Sequence, residues 1–139
     1  MLTRAFPVSC KGVVVVDGRV LLARNERDEW ELPGGKLEVG EQPQDCVARE
    51  ISEESGWPVT TGPLLDAWLY HIFEGRDVLI VTYGCHTTTT SAPTVSSEHS
   101  ELGLFTEAQV PSLRMPDGYK RSVAAWFELL RQRNGQPVG

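Results

Sequence analysis

A 23-residue segment, residues 35–57, most constrains what this chain of 139 residues can fold into. It begins in a glycine-rich turn and carries Arg49, Glu50, Glu53 and Glu54 within six residues. A helix advances about 100° per residue, so the three carboxylates fall within a sector roughly 100° wide. They repel each other by a few tenths of a kcal/mol per pair, and a hard divalent cation such as magnesium would relieve that repulsion. The pattern predicts a metal-dependent enzyme that acts on a phosphorylated small molecule.

Helix start and stop signals surround these acids. Residues 42–45 place a proline and an acid where the first helical turn is expected. Gly56 suits a left-handed cap, and Pro58 prevents continuation of the helix. The adjacent sector of the helix would pack on a core, and it consists of Val47, Ala48 and Ile51. Upstream, residues 32–35 read Leu-Pro-Gly-Gly, which we expect to be a loop with close backbone approach to a ligand, and not an ordinary strand or helix.

The spacing of the fixed residues in this segment resembles a known motif. Gly35, five residues, Glu41, seven residues and then Arg-Glu-Ile-Ser-Glu-Glu-Ser-Gly-Trp at 49–57 resemble the complete Nudix box, G-x5-E-x7-R-E-U-x-E-E-x-G-U, where U is bulky and apolar. All nine fixed positions match, with Ile51 and Trp57 at the U positions. A chance match over such a span is very improbable. Membership of the Nudix family implies hydrolysis of a nucleoside diphosphate linked to some other group.

The resemblance implies a metal site. The expected ion is Mg²⁺, with Mn²⁺ as a substitute. The expected ligands are the carbonyl of Gly34 and the carboxylates of Glu50, Glu53 and Glu54. Arg49 is expected to pair with an acidic neighbour, either Glu41 or Glu50, and to hold it in a fixed orientation.

Members of the family often recruit one more glutamate from a loop after the main strands, as an extra ligand or as the base that activates water. Glu98 and Glu101 follow the polar segment 87–97 and are the candidates, with no pattern to decide between them. Glu53 and Glu54 are equally open as the base. The expected catalytic set is Arg49, Glu50, Glu53, Glu54, Glu98 and Glu101.

Length and charge favour one enzyme domain over residues 1–139. The net charge of −6 argues against nucleic-acid and membrane partners. The family resemblance implies a small-molecule nucleotide as the partner. The apolar run at 13–16 is far too short to span a membrane, and the first residues lack the apolar stretch of a signal peptide. The three cysteines are scattered, which fits buried packing roles in a reducing compartment, so we expect the cytoplasm. Homodimers are common in the family.

The remainder of the chain indicates the α/β class. Residues 11–25 read as a hairpin around Asp17-Gly18, and residues 87–97 as a polar loop that could act as a lid. Thr106 should cap a short helix over 106–110. Further strands are expected at 30–32, 64–73, 78–86 and 102–105, and a final helix at 118–133. Strands on both sides of the acidic helix, with a second helix at the end, predict an α/β/α sandwich around a mixed central sheet.

Substrate identity is open from the sequence. Trp68 and Tyr70 share a strand face and fit either a base-stacking platform or, as the commoner role, core packing. Tyr119, Lys120 and Arg121 near the last helix are further candidates for substrate contact. The favoured function is a (d)NTP pyrophosphohydrolase. The alternative is hydrolysis of a nucleotide sugar, ADP-ribose or a dinucleoside polyphosphate, and the intact acids disfavour a non-hydrolytic nucleotide sensor.

Overall fold

A computed structural model describes residues 5–89, 91–95 and 101–135 of the protein. Within these ranges the chain forms seven strands, two α-helices and one turn of 3-10 helix. Their bounds are β1 Val8–Val16, β2 Arg19–Arg24, β3 Trp30–Glu31, β4 Gly34–Lys36, α1 Pro43–Ser55, β5 Thr60–Phe73, β6 Arg76–His86, β7 Glu101–Thr106, the 3-10 turn Val110–Ser112 and α2 Asp117–Gly135. No helix in the described part is long and apolar enough to cross a membrane.

The strands form one mixed sheet in the order β3-β2-β1-β6-β5, with β4 paired to β1 and β7 paired to β2. Strands β1 and β6 are parallel, and the other pairs are antiparallel. Strand β1 pairs with β2 only near their shared hairpin, through Val15 and Val16. Further back, Lys11 of β1 is the register partner of Gly34 in β4. The sheet therefore forks along β1, and β4 lies at the fork.

Each face of the sheet carries one helix and one hydrophobic cluster. Val47 and Ile51 of α1 pack with Val14 on the first face. Tyr119 and Trp126 of α2 belong to the second cluster, which also contains Val13, Val20, Leu22, Ile80 and Val123. The alternation of side chains along β1 sends neighbouring valines to opposite faces. The predicted α/β/α sandwich with a mixed sheet is confirmed.

Local signals predict the hairpin and the acidic helix correctly. Asp17 and Gly18 both have positive φ, 52° and 74°, as the two-residue turn between β1 and β2 requires. Helix α1 begins at Pro43. It ends at a left-handed Gly56, whose N–H donates to the carbonyl of Ser52 over 2.9 Å.

The expected loop at 32–35 is wrong in part, because Gly34 opens the short strand β4. Gly34 has a φ of 142°, which side-chain-bearing residues rarely adopt. A Cβ at this position would lie 2.7 Å from the Cα of Lys11. The glycines thus allow β4 to pair very closely with β1. The backbone at 34–35 was expected to approach a ligand closely, and in the structure it approaches strand β1 of the same chain.

The short helix expected over 106–110 is also wrong. Thr106 ends strand β7, and its N–H donates to the side-chain oxygen of Gln109 over 2.8 Å. The Gln109 N–H returns a hydrogen bond to the Thr106 carbonyl, which closes a turn. A single 3-10 turn follows at Val110–Ser112. Strand β5 starts earlier than expected, at Thr60, and α2 covers Asp117–Gly135.

Candidate active site

Helix α1 presents its three acids at different depths. The Glu53 side chain is 60% exposed and the Glu50 side chain only 14%. Glu54 is 3% exposed as a residue, and its Oε2 accepts a hydrogen bond from the Gly34 N–H over 3.0 Å. A buried carboxylate needs such a partner, since an unpaired buried charge is costly. The acidic helix is thereby joined to β4.

Gly35 explains why Glu50 can reach the same strand. A Cβ on Gly35 would lie 2.5 Å from the carboxyl carbon of Glu50, closer than real Cβ contacts allow. The Glu50 carboxylate therefore lies directly over the backbone of the glycine. The two glycines of β4 have distinct roles, because Gly34 donates to Glu54 while Gly35 leaves space for Glu50.

Arg49 connects the remaining acids. Its Nε and Nη2 donate to the two oxygens of Glu41 over 2.7 and 3.0 Å, a bidentate pair. Its Nη1 donates to Glu50 over 3.0 Å and to Glu53 over 3.3 Å. The hydrogen bonds from Arg49 are the main reason that the pKa of Glu41 falls to about 2. The sequence left Glu41 and Glu50 open as partners, and the structure shows both.

Glu101 is not brought into this group. It opens β7, and its Oε1 accepts a hydrogen bond from Arg24 Nη1 of the neighbouring strand over 3.2 Å. Glu98 lies outside the described residues. Hydrogen bonds from Arg49 and Gly34 join Glu41, Glu50, Glu53 and Glu54, and the Nη2 of Arg49 also lies 3.6 Å from Glu38 Oε1.

Lys11 is the residue that sequence reasoning missed. Its side chain is only 9% exposed, and its Nζ lies 3.9 Å from Glu31 Oε1. Burial works to lower the pKa of Lys11, yet electrostatic interactions outweigh burial and raise that pKa. The groups that interact with it are Tyr119, Glu31, Glu54 and Glu50. The available signal was a lysine inside the apolar strand sequence Ser-Cys-Lys-Gly-Val-Val-Val-Val.

The donor chemistry of the acids fits a hard divalent cation. Every candidate ligand is an oxygen, the atom that magnesium prefers. Across the described ranges, no three His, Cys, Asp or Glu side chains converge closely enough to hold a metal ion in the present rotamers. The reason is visible in the hydrogen bonds, because Glu50 and Glu53 turn to Arg49 while Glu54 turns to Gly34. The Glu53 side chain is exposed, and turning it toward the other two would break its 3.3 Å hydrogen bond to Arg49.

The aromatic candidates pack mainly on one another. The rings of Trp68 and Tyr70 lie 5.1 Å apart, and the ring of Tyr119 lies 5.3 Å from Trp68. Both Trp68 and Tyr70 pack against the core on the α2 face, which supports the packing role. The buried Nε1 of Trp68 nevertheless finds no acceptor in the described part of the chain. Lys120 donates to the Pro111 carbonyl over 2.8 Å.

Comparison with known proteins identifies the family of the chain. The NUDIX domain matches residues 8–127. A MutT-like protein of Streptomyces ambofaciens is 37% identical over 114 residues, which are 81% of this chain and 71% of that protein. An 8-oxo-dGTP diphosphatase of Proteus vulgaris is 45% identical over 51 residues, 37% of this chain and 45% of that protein. The crystal structure of a MutT NUDIX hydrolase from Burkholderia pseudomallei superposes with a TM-score of 0.73 at 27% identity, covering 88% of this chain and 98% of that one.

The chain belongs to the Nudix family of hydrolases. It is therefore an enzyme of the class that acts on nucleoside diphosphate derivatives, with small-molecule nucleotides as substrates. Enzymes of this family typically use a divalent metal ion.

Proposed function

We propose that this protein is a magnesium-dependent pyrophosphohydrolase of nucleoside triphosphates, oxidised or not, which releases a nucleoside monophosphate and pyrophosphate. The observation that carries this proposal is the complete acidic group on α1 and its support by β4. Glu54 is held by the Gly34 N–H, and Glu50 lies over Gly35. The relative that is named an 8-oxo-dGTP diphosphatase supports a triphosphate substrate.

The ligands of the ion would be the Gly34 carbonyl and the carboxylates of Glu50, Glu53 and Glu54. When bound, Mg²⁺ would neutralise phosphate oxygens and acidify the attacking water. Mn²⁺ has the same preference for oxygen ligands and would substitute. Without a cation, the Arg49 guanidinium neutralises part of this charge through Glu41, Glu50 and Glu53.

The side chains of α1 have two further tasks in this reaction. A carboxylate within hydrogen-bond reach, from Glu53 or Glu54, accepts the proton of the attacking water, which typically contributes about 10²–10⁴-fold. Arg49 holds Glu41 and Glu50 in fixed orientations, so the acids do not have to be ordered when the substrate arrives. Both tasks depend on the contacts between α1 and β4, in which Gly34 donates to Glu54 and Gly35 leaves space for Glu50.

The test is to incubate the purified protein and magnesium with a panel of nucleotides and to identify the phosphorus-containing products by ³¹P NMR. We expect pyrophosphate and a nucleoside monophosphate. Glu54→Gln should lower the turnover number by at least about a hundredfold, the scale of a general base or a lost ligand. Glu128→Gln is the matched control, since Glu128 is an exposed glutamate of α2 that pairs with Arg131.

Three other outcomes have definite meanings. Two monophosphates from a nucleotide sugar or ADP-ribose, or two nucleotides without pyrophosphate from a dinucleoside polyphosphate, would identify the alternative substrate class. Binding of nucleotides without any product would identify a sensor. Near-normal turnover of Glu54→Gln with magnesium would contradict the roles assigned to α1.

A further inference from the structure

The guanidinium of Arg49 and the proposed metal ion need the same carboxylates. Arg49 Nη1 donates to Oε1 of Glu50 over 3.0 Å and to Oε2 of Glu53 over 3.3 Å. Both glutamates are proposed ligands of the ion. A carboxylate that is bonded to a guanidinium has less negative charge to offer a second cation, and the two cations also repel each other. We therefore expect Arg49 and the ion to compete.

The two less exposed acids have support that does not depend on Arg49. Glu54 accepts a hydrogen bond from the Gly34 N–H over 3.0 Å. The Glu50 side chain is 14% exposed, and its carboxyl carbon would lie 2.5 Å from a Cβ on Gly35. Contacts with β4 thus limit where these two carboxylates can lie. Because removal of Arg49 would leave those contacts in place, it would remove a competitor without dismantling the group.

Glu53 is held by Arg49 less firmly than Glu41 and Glu50 are. Its hydrogen bond is the longer one at 3.3 Å, and its side chain is 60% exposed. An exposed pair four residues apart on a helix changes an equilibrium constant by only about twofold. Arg49 is anchored elsewhere by its bidentate pair with Glu41, at 2.7 and 3.0 Å. An ion can therefore take Glu53 from Arg49 while Arg49 stays on Glu41.

We propose that Arg49 is an internal counter-ion of the acidic group, which competes with the divalent cation and is displaced from Glu53 when the ion binds. Arg49 offsets the repulsion among the acids, and for the same reason it weakens their affinity for the ion. The effect is reciprocal, so the ion weakens the pairing of Arg49 with Glu53 by the same factor. This role rests on the proposed function for the identity of the ligands, and it gives Arg49 control over metal affinity.

The test measures binding of Mn²⁺ alone, without nucleotide or turnover. The wild type and Arg49→Met are stripped with EDTA and dialysed, and the EPR signal of free Mn²⁺ is followed during a titration. We expect Arg49→Met to bind Mn²⁺ at least about threefold more tightly, the combined scale of two such pairs. Arg131→Met is the matched control and should bind as the wild type does, because it removes the same charge from an exposed pair with Glu107 and Glu128.

NMR signals follow the exchange in the wild type, so the test does not depend on the stability of Arg49→Met. The carboxyl ¹³C peak of Glu53, identified by its loss in Glu53→Gln, should shift as Mg²⁺ is added. In ¹H–¹⁵N spectra of the arginine side chains, the Nη peaks of Arg49 should shift more than its Nε peak, because Nε stays bonded to Glu41. The carboxyl peak of Glu128, an exposed glutamate of α2, is the control and should stay in place.

Three results would overturn the role of Arg49 as a competitor. These are equal or weaker Mn²⁺ binding by Arg49→Met, as a purely ordering role requires, an equal gain in Arg131→Met, or a Glu53 peak that does not respond to Mg²⁺. Circular dichroism of each variant establishes that it is folded before its affinity is compared. Tighter Mn²⁺ binding by Arg49→Met, in a protein that hydrolyses no nucleotide, would refute the proposed function and leave this role standing.

Discussion

Arg49 shows how one side chain can organise an acidic site. A guanidinium presents five N–H donors in a rigid plane, and Arg49 uses them on Glu41, Glu50 and Glu53. A lysine would offer a single nitrogen and could not form the bidentate pair with Glu41. Arg49 therefore acts as a positioning residue for acids that would otherwise repel one another.

The pairing of Glu41 with Arg49 predicts a pH dependence of stability. The hydrogen bonds lower the pKa of Glu41 from its usual 4.5 to about 2. A lowered pKa in the folded state means that the ionised group stabilises the fold above its unfolded pKa and that this contribution is lost as pH falls through the folded pKa. We expect the free energy of unfolding of the wild type to fall more between about pH 5 and about pH 3 than that of Glu41→Gln. Urea denaturation at the two pH values measures this, and parallel losses in both proteins would contradict it.

At the level of elements, the contacts of the sheet with its two helices predict different effects for two glycine substitutions. Gly35 of β4 lies against Glu50 of α1, and Gly84 of β6 lies against Trp126 of α2. Gly35→Ala would place a methyl group 2.5 Å from the Glu50 carboxyl carbon. That carboxylate is the end of a flexible side chain, so it can move, and we expect a folded enzyme whose turnover number falls at least about tenfold. Gly84→Ala would instead place a methyl group against the buried ring of Trp126.

For Gly84→Ala we expect a loss of about 1–3 kcal/mol in the free energy of unfolding, the usual cost of overpacking. The turnover number per folded molecule should stay close to that of the wild type. Urea denaturation and steady-state kinetics on both variants separate the two effects. The prediction fails if the turnover number of Gly35→Ala equals that of the wild type, or if Gly84→Ala leaves the free energy of unfolding unchanged.

The sequence predicts elements well where the determining residues are neighbours along the chain. Helix α1 carries its own start at Pro43 and its own stop at Gly56, and the turn at Asp17-Gly18 is equally local. Strand β4 was missed because its short glycine segment is stabilised by the distant β1, which no local pattern shows. Thr106 was assigned to a helix because a threonine before a polar run resembles a cap, whereas β2 holds it as the end of β7.

The same distinction applies to the site. The spacing of the acids places Glu50, Glu53 and Glu54 on the same helix as Arg49, but it does not show that Glu54 turns to Gly34 while Glu50 and Glu53 turn to Arg49. The partner of Glu101 could not be read from the sequence, because Arg24 reaches it only through the pairing of β2 with β7. The position of Lys11 beside Gly34 depends on the pairing of β1 with β4, which no local pattern shows.

On the scale of the whole molecule, the two faces of the sheet carry different groups. The α1 face carries the acids, and the α2 face carries the aromatic cluster that includes Tyr119 and Trp68. A net charge of −6 makes the protein repel an anionic substrate at long range, so a cation at the acids would favour substrate binding.

This balance of charge predicts that magnesium stabilises the whole fold. A ligand that binds only the folded state adds about 2.7 kcal/mol at a hundredfold excess over its dissociation constant. We expect the midpoint of thermal unfolding to rise with magnesium concentration, and to rise less with sodium chloride of equal ionic strength, since screening alone relieves only part of the repulsion. Differential scanning calorimetry measures both shifts.

The matched protein for this measurement is the variant in which Glu50, Glu53 and Glu54 are all glutamine. Each glutamine keeps one oxygen and the approximate volume of the glutamate side chain but removes the charge that would bind the ion. Its midpoint should respond to magnesium no more than to sodium chloride. An equal magnesium response in both proteins would mean that the ion acts on the general surface charge, and the acids of α1 would then have no special affinity for it.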